Sequence, residues 1–127
     1  MIDFHTHILP GMDDGSQAAH ESLQLLTLES EQGVQEILLT SHFYAHIDKI
    51  SSFLERREHS FWKLTKALNE HDMGASLSLR KGAEVYYFPG IGMRSKFANS
   101  RLKEPIFCSL RCHLLSGRMR FMWMSKN

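Results

Sequence analysis

The residues best suited to chemistry crowd into the first fifteen, MIDFHTHILPGMDDG. His5 and His7 are separated by one residue, and on extended backbone side chains two apart point to one face. A Pro10-Gly11 pair follows, then Asp13-Asp14 and Gly15. Such a Pro-Gly turn can bring a carboxylate back beside the imidazoles. Two neutral imidazole nitrogens and a carboxylate meeting at one point make a site for a divalent cation. The competing reading is two surface histidines beside an acidic turn. The apolar run before them and the DDG turn after them favour the metal.

The elements that must position these groups follow from the hydrophobic pattern. Met1 to Phe4 reads as a short, buried parallel strand. Ser16 is the expected N-cap of a helix reaching about Gln32, with Ala19, Leu23, Leu26 and Leu28 at helical spacing. Gly33 supplies its left-handed cap. Val34 to Thr40 reads as the second strand, and SHFYAH, with His42 and His46, as the loop after it. A long helix is expected from about Asp48 to His71. Ile47, Ile50, Leu54, Phe61, Leu64 and Leu68 form its apolar stripe, Arg57 fills the widest gap, and Met73-Gly74 ends it. His20, His59 and His71 read as solvated helix residues. Ser76 to Leu79 alternates polar with apolar, and beyond Lys81-Gly82 the run AEVYYF is rich in β-formers. Phe88 to Gly92 reads as a loop. Strand, helix, strand, helix, strand argues for parallel βαβ units, whose ligands gather at the carboxyl ends of strands. His5, His7, His42 and Glu84 all lie at or near such ends, a constellation more specific than any one member.

The totals narrow the classes. With 127 residues the chain suits a single core. Fifteen basic residues against fourteen acidic ones leave a net charge of +1, which gives no reason to expect nucleic acid as a partner. No apolar stretch approaches the roughly 18 residues of a membrane span. The opening MIDF lacks the basic start of a signal peptide. Membrane insertion is therefore not expected, and a cytoplasmic location is. Cys108 and Cys112 both fall in the last twenty residues and do not suggest a disulfide framework.

With HTHILPGMDDGS, TSH at 40–42 and GAEVYY at 82–87 in place, residues 1 to about 98 resemble a known family. It is the PHP (polymerase and histidinol phosphatase) superfamily, and within it the manganese-dependent tyrosine-protein phosphatases of bacterial capsule and exopolysaccharide operons. The resemblance implies a (β/α) barrel with a multinuclear metal centre, here its N-terminal half. It implies hydrolysis of phosphotyrosine, on a partner tyrosine kinase that regulates polymer export, by water that divalent ions activate. Carried over by position, the metal ligands are His5, His7, Asp14, His42 and Glu84. Asp13 is the lesser candidate of the acidic pair, and His46 matches no motif. Such chemistry needs no nucleophilic cysteine. Manganese is the family's metal, and imidazole with carboxylate also suits zinc or iron.

The chain departs from the family beyond Ala98. The family runs on for about as many residues again, with further ligands and phosphate-binding arginines, and none of those motifs is found here. Residues 99–127 hold both cysteines, six basic residues and a single acid, Glu104, with poor periodicity. A one-base shift near Ala98-Asn99 permits a family-like strand with a glutamate, so this stretch is expected to be an out-of-frame tail that does not pack as a native element. The domains expected are a partial barrel at 1–98 and this tail at 99–127. Alternatives are a non-catalytic fragment that at most binds metal, or another metal hydrolase of histidinol-phosphatase or amidohydrolase type.

Overall fold

The computed structural model describes residues 1–73 and 76–86 and the backbone of two further strands, 107–111 and 120–123. In chain order the elements are β1 (Ile2–Thr6), α1 (Ala19–Glu31), β2 (Glu36–Leu39), β3 (His42–Phe43), α2 (Ile50–Glu70), β4 (Ser78–Tyr86), β5 (Phe107–Arg111) and β6 (Arg120–Trp123). The sheet order is β1-β2-β4-β5-β6, and β3 also pairs with β4. Every pairing from β1 to β5 is parallel, and β6 runs antiparallel to β5. Alternating strands and helices thus build the parallel α/β sheet that their order predicts.

Period-two alternation divides the sheet into two faces. Ile37 and Leu39 of β2 pack with Leu23 and Leu26 of α1 and with Leu64, Ala67 and Leu68 of α2. Phe43, Ala83 and Val85 pack with Phe53 of α2 in a second cluster. Both helices therefore cover one face. His42 and Glu84, one residue out of phase, are left to the other.

Local chemistry explains the helix ends. Gly33, at φ +82°, follows α1 and donates its N–H to the Ser30 carbonyl at 3.0 Å, while Val34 donates to Glu29 at 3.0 Å. These two bonds close a left-handed cap that ordinary residues adopt only with strain. In α2 the expected gap-filler Arg57 is buried, with its guanidinium 3.2 Å from the Gly82 carbonyl and over the Phe53 ring. His20, His59 and His71 are exposed, as expected.

Several expectations need correction. The first strand is not buried, since Met1, Ile2 and Phe4 are 71%, 44% and 54% exposed. Its position at the sheet edge explains this, for β2 is its only neighbour among the described residues. Ser16 is not an N-cap: α1 starts after Ala18, and the buried Ser16 hydroxyl bonds Ala18 O and Ser22 instead. Leu28 and Ile47 are exposed rather than part of their stripes. The second strand is confined to Glu36–Leu39, and the loop after it contains β3. The run at 76–79 and the β-rich run after Gly82 form one strand, Ser78–Tyr86, because Gly82 sits within the ladder rather than breaking it. Gly74 and the expected loop at 88–92 lie outside the described residues. Beyond residue 98 the described backbone is that of β5 and β6, which pair without the side-chain periodicity of the earlier elements. Ladder bonds use backbone groups that every residue but proline carries, so pairing does not require a side-chain pattern.

Candidate metal centre

The site is built where β1, β2/β3 and β4 end. The ladder between β1 and β2 slips by one residue between Asp3 and Thr6, which places His5 in a bulge. The freed His5 N–H donates to the Asp3 carboxylate at 2.9 Å, an Asx-type bond that steadies the bulge. β3 continues the line of β2 along β4 without a change of register, and His42 stands opposite Glu84. Between them, Thr40 donates its N–H to Thr6 O and Ser41 O receives the N–H of Glu84, both at 2.9 Å. The Thr40-Ser41 pair thereby ties β1 to β4.

The loop from His7 to Ser16 returns on itself as the Pro-Gly turn predicts. Gly11, at φ +69°, donates to Ser16 O at 2.8 Å, and Ser16 donates to His7 O at 3.0 Å. Gly15 passes so close beneath His7 that a Cβ there would lie 2.2 Å from the His7 carbonyl oxygen. Two buried serines pin the loop from the helices: Ser22 of α1 donates to Ile8 O at 2.6 Å, and Ser60 of α2 to Pro10 O at 2.7 Å.

Glu84 is the centre of the arrangement. It is 2% exposed, and Oε2 lies 3.4 Å from His5 Nε2, 3.2 Å from His7 Nε2 and 3.1 Å from His42 Nδ1. Neither carboxylate oxygen accepts a hydrogen bond. A buried carboxylate is costly, and these imidazoles offset its charge only when they are protonated. A cation shared among these groups would remove that cost. Two sets of donors lie within 4.8 Å of one another: His5, His7 and Glu84, and His7, Asp13, Asp14 and His42. Their chemistry, imidazole with carboxylate, fits a divalent transition ion.

The two aspartates of the DDG turn have separate places. Asp13 Oδ2 accepts from His7 Nδ1 at 2.7 Å and from the His42 N–H at 2.9 Å, while Oδ1 accepts from the Gly15 N–H at 3.0 Å. Burial pushes its carboxyl up, but the His7 bond and the His42 and Gly15 amides outweigh that and hold it at about 2. Asp14 is 84% exposed, with Oδ1 3.3 Å from His42 Nε2. Asp13, read as the lesser candidate, thus anchors the pair of histidines in the manner of a carboxylate behind a metal-bound imidazole. The same Asp13 bond raises the His7 pKa, against the effect of burial. Burial lowers that of His5, against the attraction of Glu84.

Sequence reasoning missed Thr40 and Asp3. The Thr40 hydroxyl stands 3.4 Å from His5 Nδ1, 3.1 Å from the Thr6 N–H and 3.2 Å from Thr6 O. One hydroxyl proton and two lone pairs serve all three, which leaves His5 with its proton on Nδ1 and Nε2 turned to Glu84. A threonine directly before the SH pair was the available signal. His46 is exposed and stands apart from both donor groups, beside Tyr44 and Tyr86, with ring centroids 6.3 Å and 5.8 Å away.

A parallel α/β sheet with a histidine–carboxylate cluster at its carboxyl end belongs to the class of α/β proteins whose chemistry sits at strand ends. The chain belongs to the capsular polysaccharide synthesis family CpsB/CapC, whose model matches residues 1–102. It is 37% identical over 93 residues to the tyrosine-protein phosphatase CpsB of Streptococcus pneumoniae, covering 68% of this chain and 34% of that protein. It is 43% identical over 42 residues to the tyrosine-protein phosphatase YwqE of Bacillus subtilis, covering 33% of this chain and 16% of YwqE. Among solved structures it resembles one from a study of YwqE and S. pneumoniae CpsB, described there as metal-dependent tyrosine phosphatases. That match has a TM-score of 0.59 and 28% identity, covering 77% of this chain and 37% of the other. The matches therefore span between about a sixth and somewhat over a third of the length of these relatives. Among the described residues, no helix is long and apolar enough to cross a membrane.

Proposed function

We propose that this chain carries part of the metal centre of a metal-dependent phosphatase acting on phosphotyrosine, with His5, His7, Asp14, His42 and Glu84 as ligands. The observation that carries the reading is Glu84, buried, without a hydrogen-bond donor and faced by three imidazoles. Manganese is the ion we assign, with zinc and iron as alternatives of the same donor preference. Such ions, when bound, make water acidic enough to act near neutral pH and offset charge on a phosphoryl group. The chain's own part is orientation. Asp13 accepts from His7 Nδ1 and the Thr40 hydroxyl stands at His5 Nδ1, which turns both Nε2 atoms toward the centre. Gly15 lets the loop that bears both aspartates lie against His7. The names of the relatives support a phosphotyrosine substrate, and the family's link to capsule synthesis supports a bacterial tyrosine kinase as its bearer in the cytoplasm.

A second reading is a fragment that binds metal with little turnover, supported by the share of its relatives that the chain spans. It goes with the domain division proposed here, a partial barrel at 1–98 and an out-of-frame tail at 99–127. The family match ends at residue 102, close to that division. Sequencing the gene tests the tail: the absence of a downstream frame continuing the family would overturn it.

The experiment is metal stoichiometry of the purified chain with added manganese, beside His5→Ala and His42→Ala, together with p-nitrophenyl phosphate hydrolysis. Manganese retained by the parent and lost by both variants is expected. Unchanged stoichiometry in both variants would overturn the site. Turnover equal to that of a frame-restored longer chain would overturn the fragment reading.

A further inference from the structure

Two neighbouring strands repeat one pattern beside the centre. His42 is followed two residues on by Tyr44, and Glu84 two residues on by Tyr86. Parallel register sets His42 against Glu84 and Phe43 against Val85, and the intervening Phe43 and Val85 belong to the helix-side core. Alternation within β4 returns Tyr86 to the face of the donor cluster, one step of roughly 6–7 Å further toward the carboxyl end, and Tyr44, just past the end of β3, comes to the same place. The rings meet there: Tyr44 and Tyr86 have centroids 5.7 Å apart, and Tyr44 lies 5.8 Å from the His42 ring. His46 stands over the same pair. Tyr44 is 38% exposed and His46 is exposed, so this aromatic patch faces outward.

We propose that Tyr44 and Tyr86, with His46 beside them, form a shelf for the aryl ring of the substrate and so select aryl over alkyl phosphate monoesters. The inference rests on the phosphatase reading above, since the shelf has meaning only next to a centre that holds the phosphoryl group. In an aryl phosphate the ring is joined to phosphorus through a single oxygen. With the phosphoryl group at the cluster, the ring has to lie within one ring's length of it, which is where Tyr44 and Tyr86 are. Aromatic rings stack offset or edge-to-face at centroid separations of about 4.5–7 Å, and a phenyl group can join this cluster at such distances. The shelf is a specificity device rather than catalytic machinery. An alkyl phosphate would meet the same donors without gaining the stacking.

The test uses the full chain loaded with manganese and titrated calorimetrically with phenylphosphonate and methylphosphonate, neither of which can be hydrolysed. The expected result is phenylphosphonate binding about three- to tenfold more tightly than methylphosphonate. The double variant Tyr44→Ala/Tyr86→Ala should bind both alike, with methylphosphonate affinity unchanged, and Tyr44→Phe/Tyr86→Phe should keep the preference. Tyr44 is exposed, so Tyr44→Ala alone carries the test if the double variant does not fold. An aryl preference that is absent from the parent, or that survives the alanine variants, overturns the shelf while manganese retention leaves the metal centre standing. A parent chain that retains no manganese overturns the metal centre, and the shelf with it.

Discussion

The two faces of one parallel sheet spend their side chains in opposite ways. On the helix side, Leu26, Ile37, Leu39 and Leu64 are wholly buried and interlock with their neighbours. On the other, a carboxylate is equally buried with no donor, and three imidazoles press toward it. The same strands serve both, because successive residues alternate between faces. The helix side stores stability, and the other face holds an electrostatic debt that a cation would cancel. Sites kept ready for a ligand are less satisfied than cores, and stability elsewhere must carry them.

The contrast can be broken most sharply at Leu64. Leu64→Ala removes a fully buried side chain between α2 and the sheet and should cost about 2–5 kcal/mol in denaturant unfolding. A loss under about 1 kcal/mol would mean the helix face is not the stability reservoir. Glu84→Gln should behave in the opposite way. Without metal it should match or exceed the parent in stability, since the uncompensated charge is gone. With manganese at a hundredfold its dissociation constant, the parent should gain about 2.7 kcal/mol and the variant none. Equal gains in thermal melts would remove Glu84 from the centre.

Asp13 and Asp14 sharpen the comparison within the site. Asp13→Asn keeps the shape but weakens the acceptor behind His7, and should lower manganese affinity about 10–100-fold. Its readout includes recovery of the parent affinity on reversion to aspartate. An unchanged affinity would show that Asp13 orients nothing. The smallest effect should lie outside both faces, at the exposed pair Asp48 and Arg56. The Arg56 hydrogen bond lowers the Asp48 pKa below its ordinary 3.8. The stabilisation is therefore present above that ordinary value and is lost as pH falls through the lower folded one. Asp48→Asn should change stability near neutral pH by less than about 0.5 kcal/mol, with the difference vanishing at low pH. A difference that grows on acidification would contradict the sign.

Much of this was legible in residue order. The strand-helix alternation, the Gly33 cap and the stripe of α2 with Arg57 in its gap all come from short-range periodicity. The convergence of His5, His7, His42 and Glu84 followed from expecting each at a strand end. What failed was longer in reach. Ser16 has the composition of a cap but is drawn into a buried bond with Ser22, and Ile2 and Phe4 are apolar yet lie on an edge. Neither outcome can be read from neighbours in the chain.

By itself the sequence determined which groups could bind a cation and on which short elements they ride, because spacing on a strand or turn is set by local backbone geometry. Only the tertiary structure decided which aspartate stands behind His7 and which reaches toward His42. It alone also brought Thr40 behind His5 and Tyr44 against Tyr86. Those choices depend on strand register, a one-residue bulge and a glycine's close approach, which arise from contacts between segments far apart in the chain.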